Sequence, residues 1–388
     1  MSLQAQADAL LKRAADAGDV PGVVAMVTNR EGTLYEGAFG RRSLADPAPM
    51  TTDTVGLIAS MTKALTSTAA LQLLEQGRVD LDSPASRWLP QLAEAEVLEG
   101  FDDAGQPRTR PPKRPVTLRH LLTHTSGFGY EFLSVPLQKY HEARRVPSIF
   151  GCALAALRQP LLFDPGERWQ YGIGIDWVGQ LVEAVSGQKL GAYLAQHVLG
   201  PVGMQETAFV PTPDMAPRLA RIHQRGPDGK LVPLDFPLPQ EPEFEMGGGG
   251  LFGTAGDYLK FVRMILNRGL AIGGRVLRPE TVELMSSNQL GALEVLPAKS
   301  ANPLLTNDMA LPPGIPHRWG LAWMINEKPL PTGRPAGSLM WAGLTNSYYW
   351  IDPHTGIGGV VLMQILPFAD VKAMPLFLNF EYTVYQNL

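Results

Sequence analysis

Residues Ser60–Gly77 read SMTKALTSTAALQLLEQG. No glycine or proline interrupts the run before Gly77, a ready C-cap, so the segment reads as one long helix. Its apolar residues, among them Met61, Leu65, Ala69, Leu71 and Leu74, lie nearly all round the helix, and such a helix belongs in the interior. It opens with the tetrad Ser60-Met61-Thr62-Lys63, whose first and last members share a face at i and i+3. A lysine in an otherwise apolar segment is desolvated. Desolvation favours the neutral amine, and a neutral amine can take the proton of a serine hydroxyl. The helix N-terminus adds N–H groups and a positive dipole end where an oxyanion would form. By chance, an S-x-x-K tetrad arises about once in a chain of this length and composition. A second copy, Ser186-Gly187-Gln188-Lys189, has the same spacing, but Gly187 reads as a C-cap and leaves no helix to register the pair.

Upstream, Gly22–Asn29 (GVVAMVTN) is rich in β-branched residues, and Thr33–Phe39 alternates in part after Arg30-Glu31-Gly32, a hairpin signature. Downstream, Ser347–Ile351 and Gly358–Leu366 flank the turn Asp352–Gly356 and predict a second hairpin. Helices are expected over Met1–Gly18, Ala255–Asn267 and Ala373–Tyr385. Between about 81 and 243, helical patterns (Leu118–Thr123, Ile149–Arg158, Ile175–Ser186, Leu190–Val198) alternate with Pro/Gly-rich loops, and no strand pair is evident. Strands at both ends with helices between predict an α/β (α+β) fold. Residues 1–80 and 244–388 would build an antiparallel sheet flanked by helices, and 81–243 a mostly helical inserted domain, with the active site between them.

The chain has 388 residues, 45% hydrophobic and 18% charged, enough apolar material for a sizeable core. Its 40 glycines and 34 prolines predict long, well-punctuated loops without low complexity. A net charge of −4 with no dense Lys/Arg run leaves a nucleic-acid binder without a source of affinity. The single cysteine, Cys152, excludes an internal disulfide framework and any multi-cysteine metal site. No signal-peptide pattern opens the chain, and the longest apolar run, Gly356–Phe368, falls short of the roughly 18 residues a membrane helix needs. A soluble, cytoplasmic protein without membrane insertion is expected.

Several patterns point away from other chemistries. No serine has glycine two residues before it, which disfavours the G-x-S-x-G elbow of an α/β-hydrolase. His120 and His124 stand at i and i+4 like a zinc pair, but Leu121-Leu122-Thr123 lacks the glutamate of H-E-x-x-H. No metal is therefore expected there, and His124 reads as a capping or loop-holding residue. Gly247–Gly250 is not followed by G-K-[ST] and reads as close packing rather than a phosphate cradle. Cys152, in the apolar run Phe150–Leu157, reads as core.

Five segments in order resemble the serine β-lactamase and penicillin-binding protein superfamily. They are TVGLIAS (Thr54–Ser60) running into SMTK, then GRVDLD (Gly77–Asp82), LLTHTSG (Leu121–Gly127), HVLGPVGMQETAF (His197–Phe209) and GGGGLFGTAGDYLKF (Gly247–Phe261). The resemblance runs from about Pro21 to Leu366, and within the superfamily the chain is most similar to the family VIII carboxylesterases. It implies a β-lactamase/transpeptidase-like fold, Ser60 as nucleophile, and Lys63 and a tyrosine acting together in proton transfer. Tyr171-Gly172-Ile173 matches the family's tyrosine motif, and Trp341-Ala342-Gly343 its third motif. Ile173 stands where β-lactamases carry Asn, and Trp341 where they carry a cation, which argues against β-lactam hydrolysis as the main activity. By the same match, the N–H of Leu344 joins that of Ser60 in an oxyanion hole. Phe128, Tyr130, Phe132, Trp341 and Tyr348 are candidate apolar walls. His354-Thr355-Gly356 imitates the third motif but falls in the predicted hairpin turn and reads as solvated.

The expectation is a serine carboxylesterase that hydrolyses small-molecule, short-chain esters through an acyl-enzyme, with no metal or organic cofactor. β-Lactam hydrolysis, or transfer of the acyl group to an alcohol, is the alternative. A non-catalytic binding protein is disfavoured, because such a module has no use for a buried lysine at this spacing.

Overall fold

The computed structural model describes residues 2–388. Eight strands form the central sheet, in the spatial order His317–Trp319, Met324–Asn326, Leu339–Gly343, Ser347–Asp352, Ile357–Leu362, Gly22–Thr28, Thr33–Ser43 and Asp46–Pro49. Every neighbouring pair is antiparallel. The two distant parts of the chain meet where Val24 lies opposite Leu362 and Thr28 opposite Gly358.

Alternation along these strands divides the core in two. Val23, Ala25, Val27, Tyr348 and Trp350 point to the face covered by the helices Leu3–Asp16 and Ala373–Tyr385. Val24, Met26, Trp341 and Tyr349 point to the larger core, which also takes in the helices Thr62–Glu75 and Ala255–Leu266. Because both faces are covered, Gly22–Thr28 is buried throughout, which explains its near-continuous apolar sequence. The expected Ser60–Gln76 helix is present as Thr62–Glu75, entered through a 3₁₀ turn at Ala59–Met61, with Thr62 through Leu73 all buried.

Three expectations need correction. The segment 81–243 holds two hairpins, Val97–Phe101 with Pro107–Arg110 and Ile222–Arg225 with Leu231–Leu234. Strands as short and polar as PRTR and IHQR show no usable alternation. The predicted helix over Ile149–Arg158 is two 3₁₀ turns, Ile149–Gly151 and Leu154–Leu157, separated at Cys152, whose φ of +50° breaks any helical path. The last strand ends at Leu362 rather than Leu366. Ile365–Leu366 turns away to pair, in parallel, with His223 and Gln224. Among the described residues, no helix is long and apolar enough to cross a membrane.

The sheet tolerates little change at Gly359, which lies opposite Trp350 in the ladder. A Cβ there would stand 2.2 Å from the Trp350 ring. Gly359→Ala is expected to destabilise the protein by about 2 kcal/mol or more through overpacking. A urea titration should show a lower midpoint at unchanged slope.

Candidate active site

The nucleophile candidate sits at a strained corner. The short strand Val55–Leu57 pairs with Phe252–Thr254, and the chain then turns through Ala59 at a φ of +46°, unusual for a residue with a side chain. Neighbours fix the corner from both sides. Gln364 clamps Leu57, its Oε1 accepting from the Leu57 N–H at 2.9 Å and its Nε2 donating to the Leu57 carbonyl at 3.1 Å. Thr345 Oγ1 donates to the same carbonyl at 2.9 Å. The strand Leu339–Gly343 presses against the turn so closely that a Cβ on Gly343 would lie 2.4 Å from the Ile58 carbonyl. Only glycine permits that approach.

One helical turn on, Lys63 is 1% exposed, and its Nζ has three partners. It lies 3.1 Å from Ser60 Oγ, 2.9 Å from Tyr130 Oη and 2.5 Å from the Gly248 carbonyl. Burial pushes the amine down from 10.5 to about 7, while Asp176 pulls it partly back. Asp176 is itself fully buried; burial pushes its carboxyl up, and the nearby Lys63 charge opposes that shift. Its Oδ1 accepts the Gly248 N–H at 2.8 Å, so a single peptide unit links the carboxyl to the amine. A neutral amine can go on donating to Gly248 and Tyr130 while its lone pair faces the Ser60 hydroxyl.

Tyr171 comes over the same site from the 81–243 segment. Its ring centroid is 4.6 Å from Lys63 Nζ, and its Oη accepts from Trp341 Nε1 at 3.0 Å. Burial pushes the Tyr171 hydroxyl upward, with hydrogen bonding to Ser60 and Trp341 offsetting part of the shift. Burial also pushes Tyr130 well up. Both phenols therefore keep their protons at neutral pH, and Lys63 is the group poised to exchange one.

The glycine run works by letting backbone come close. A Cβ on Gly248 would lie 2.5 Å from an Asp176 oxygen, and one on Gly250 2.9 Å from Phe209. His120 and His124 serve different ends. The ring of His120 accepts from the Thr117 N–H in a capping box. His124 packs against Tyr171 at 4.8 Å and Trp319 at 5.0 Å, and its carbonyl accepts from the Gln170 N–H at 2.8 Å, holding the loop that delivers Tyr171.

Ser60 opens into an apolar cavity of about 380 Å³. Tyr130, Phe132, Tyr171, Trp341, Ala342, Gly343, Leu344 and Tyr348 all line it. Phe128 does not: it stacks on Trp177 at 6.0 Å and lines a separate crevice with it, which corrects the expectation that it is a substrate wall. Ile173 is buried and precedes the helix Gly174–Ser186, outside the cavity lining. Two partners of Lys63 were missed as such. The sequence marks Tyr130 only as a candidate wall and does not single out Asp176, although an acidic residue in the buried run GIDWVG is a visible signal.

The sequence pattern defining the family described as Beta-lactamase matches residues 7–379, and the chain belongs to that family. The β-lactamase-like fold expected from the motifs is thereby shown. A curated relative, the monacolin J acid methylbutanoyltransferase of Aspergillus terreus, is 35% identical across 96% of this chain and 94% of its own. The lovastatin esterase of Penicillium rubens is 31% identical across 98% of each chain. A solved mutant of the simvastatin synthase of Aspergillus terreus superposes with a TM-score of 0.86 at 34% identity, over 98% of this chain and 96% of that one.

Lysine labelled with ¹³C at Cε should show one resonance, that of Lys63, titrating at about 7, well below the ordinary value of 10.5. Asp176→Asn removes the charge that holds the amine up, so the midpoint should fall further. A Lys63 signal titrating with the other lysines would refute the neutral-amine reading.

Proposed function

We propose that the protein is a serine acyltransferase. It forms an acyl-enzyme on Ser60 and passes the acyl group to an alcohol, with ester hydrolysis as the side reaction when water takes the alcohol's place. One observation carries this reading: the nucleophile faces a large apolar cavity able to hold a second apolar reactant and poorly suited to water. Two of the three relatives are named for methylbutanoyl transfer and for simvastatin synthesis, and the third for hydrolysis. Transfer is therefore the better reading than the carboxylesterase expected from the sequence.

In the proposed sequence, Ser60 Oγ attacks the carbonyl of an acyl donor as neutral Lys63 takes its proton. The Ser60 and Leu344 N–H groups stabilise the tetrahedral oxyanion. Collapse breaks the bond to the leaving group, which receives a proton from Lys63 or Tyr171, and leaves the ester on Ser60. The acceptor hydroxyl then attacks that ester, giving its proton to neutral Lys63 directly or through the Tyr171 hydroxyl, and Ser60 is released as Lys63 returns the proton to it. Trp341 holds Tyr171 in place through its indole N–H. Body and lobe share the work: Ser60, Lys63 and Leu344 come from 1–80 and 244–388, and Tyr130 and Tyr171 from 81–243.

The test uses p-nitrophenyl butanoate with and without 1-octanol. Octyl butanoate should exceed free butanoate once octanol is present, and intact-mass analysis should find one butanoyl group on the protein. Ser60→Ala should lower kcat/KM by about 10³-fold or more. The acylation rate should rise with pH through about 7, where Lys63 loses its proton, and Lys63→Arg, always charged, should abolish it. Butanoate as sole product would return the reading to esterase, and turnover that survives Ser60→Ala would exclude the mechanism.

A further inference from the structure

The cavity that begins at Ser60 reaches a second site. Among its described lining residues, Arg334 is the only Lys, Arg, Asp or Glu, and the rest of the wall is almost wholly apolar. Its side chain is 1% exposed, so water satisfies little of it. Nη2 donates to the Met340 sulfur at 3.0 Å, a weak acceptor, while Nε and Nη1 carry no hydrogen bond among the described residues. The nearest carboxylate, Glu381 on the terminal helix, approaches Nε at 3.3 Å. That contact is not aligned as a hydrogen bond, since neither Glu381 oxygen has a hydrogen-bond partner among the described residues. Burial pushes the Glu381 carboxyl up, and the nearby Arg334 charge opposes that shift.

The other titratable groups nearby are committed elsewhere. Asp352 accepts from the backbone N–H groups of His354 and Thr355 and from the Tyr385 hydroxyl. Burial is the main cause that pushes His317, also in the cavity wall, below its ordinary value, so it stays neutral. A clasp made only to tie the terminal helix down would be expected to close its hydrogen bonds. Here a buried guanidinium is left with open donors, an arrangement that is unfavourable until an acceptor arrives.

The route from Ser60 is also present. Of the strand Leu339–Gly343, only Leu339 and Met340 pair with Met324–Asn326, so among the described residues Trp341–Gly343 have no ladder partner on that edge. The small residues Ala342 and Gly343 let the cavity pass over this open edge to the face of the sheet that carries Met340 and Tyr348 and is covered by Phe377 of the terminal helix. From Gly343 back to Met340 is three residues, about 10 Å of extended strand.

We propose that Arg334 is the anchor for a carboxylate on an apolar substrate, held about 10 Å along the strand from the carbon that reacts at Ser60. A carboxylate monoanion suits a single guanidinium whose Nη1 has no acceptor, whereas a phosphate would need more positive charge than the wall offers. The inference rests on the acyl-enzyme reading for what the bound molecule does next, but the binding step stands apart from it.

Calorimetric titration of the whole protein with octanoate and with 1-octanol, the same tail with and without the charge, tests binding without turnover. Octanoate should bind at least tenfold more tightly. Glu381→Gln removes the competing anion and should tighten octanoate alone. Arg334→Met combined with Glu381→Leu removes both buried charges together and should erase the preference; if that variant does not fold, Glu381→Gln decides. Equal binding of the two ligands, a preference that survives the double substitution, or octanoate binding unchanged by Glu381→Gln would each overturn the proposal. Two kinetic arms identify the reactant that bears the charge. Preference for p-nitrophenyl hydrogen suberate over p-nitrophenyl octanoate places the carboxylate on the donor, and preference for 8-hydroxyoctanoate over 1-octanol places it on the acceptor. No preference in either arm would count against the site. A protein that binds octanoate by this pattern but never acylates Ser60 would keep the anchor and lose the proposed reaction.

Discussion

A lysine amine inside a helix that is buried along most of its length can stay there only if its proton is easily shed or its charge is answered. The surroundings of Lys63 do some of both. Asp176 supplies a partial answer through the Gly248 peptide, and dehydration drives the amine toward the neutral state a base requires. Much of the local architecture follows from that balance. Gly248 must be glycine for its backbone to reach both groups, and Thr62–Glu75 can lie in the centre of the molecule because Lys63, its one fully buried ionisable side chain, is not obliged to be charged there.

The second constraint is positional. Ser60 gains its place from a corner that no single element could hold: Gln364 and Thr345 grip Leu57, and Gly343 lets a sheet strand lie against the Ile58 carbonyl. Those contacts draw on residues far apart in the chain, and they let Ala59 keep a backbone angle that would relax in a looser setting. The strand that braces the corner is also the one whose free edge opens into the cavity. Support for the Ser60 corner and an opening into the cavity come from the same five residues, Leu339–Gly343.

Much of this was legible from the residues. The glycine-free apolar run from Ser60 announced a buried helix, the i and i+3 spacing announced the Ser60–Lys63 pair, and the β-branched runs at both ends announced a sheet shared between them. What escaped has physical causes. The hairpins at 97–110 and 222–234 are short and polar, and what steadies them is tertiary, such as the parallel pairing of Ile365–Leu366 with His223 and Gln224. Phe128 and Tyr130 are two residues apart in one aromatic segment, and nothing in the order of residues tells which faces the amine and which stacks on Trp177. Asp176 and Arg334 gain their meaning from partners such as Gly248 and Glu381 that only the folded chain brings near.

The seam between Gly22–Thr28 and Ile357–Leu362 also bears on how the molecule is made. During synthesis the N-terminal hairpin emerges early with one edge bare, and it must wait for nearly the whole remaining chain before Val24 can meet Leu362. An exposed apolar edge held open for that long invites pairing with other chains. The central sheet, and with it the corner that carries Ser60, is therefore a late product of folding. A ribosome stalled in the middle of the message would hold a partly collapsed lobe and a Ser60 corner without its braces.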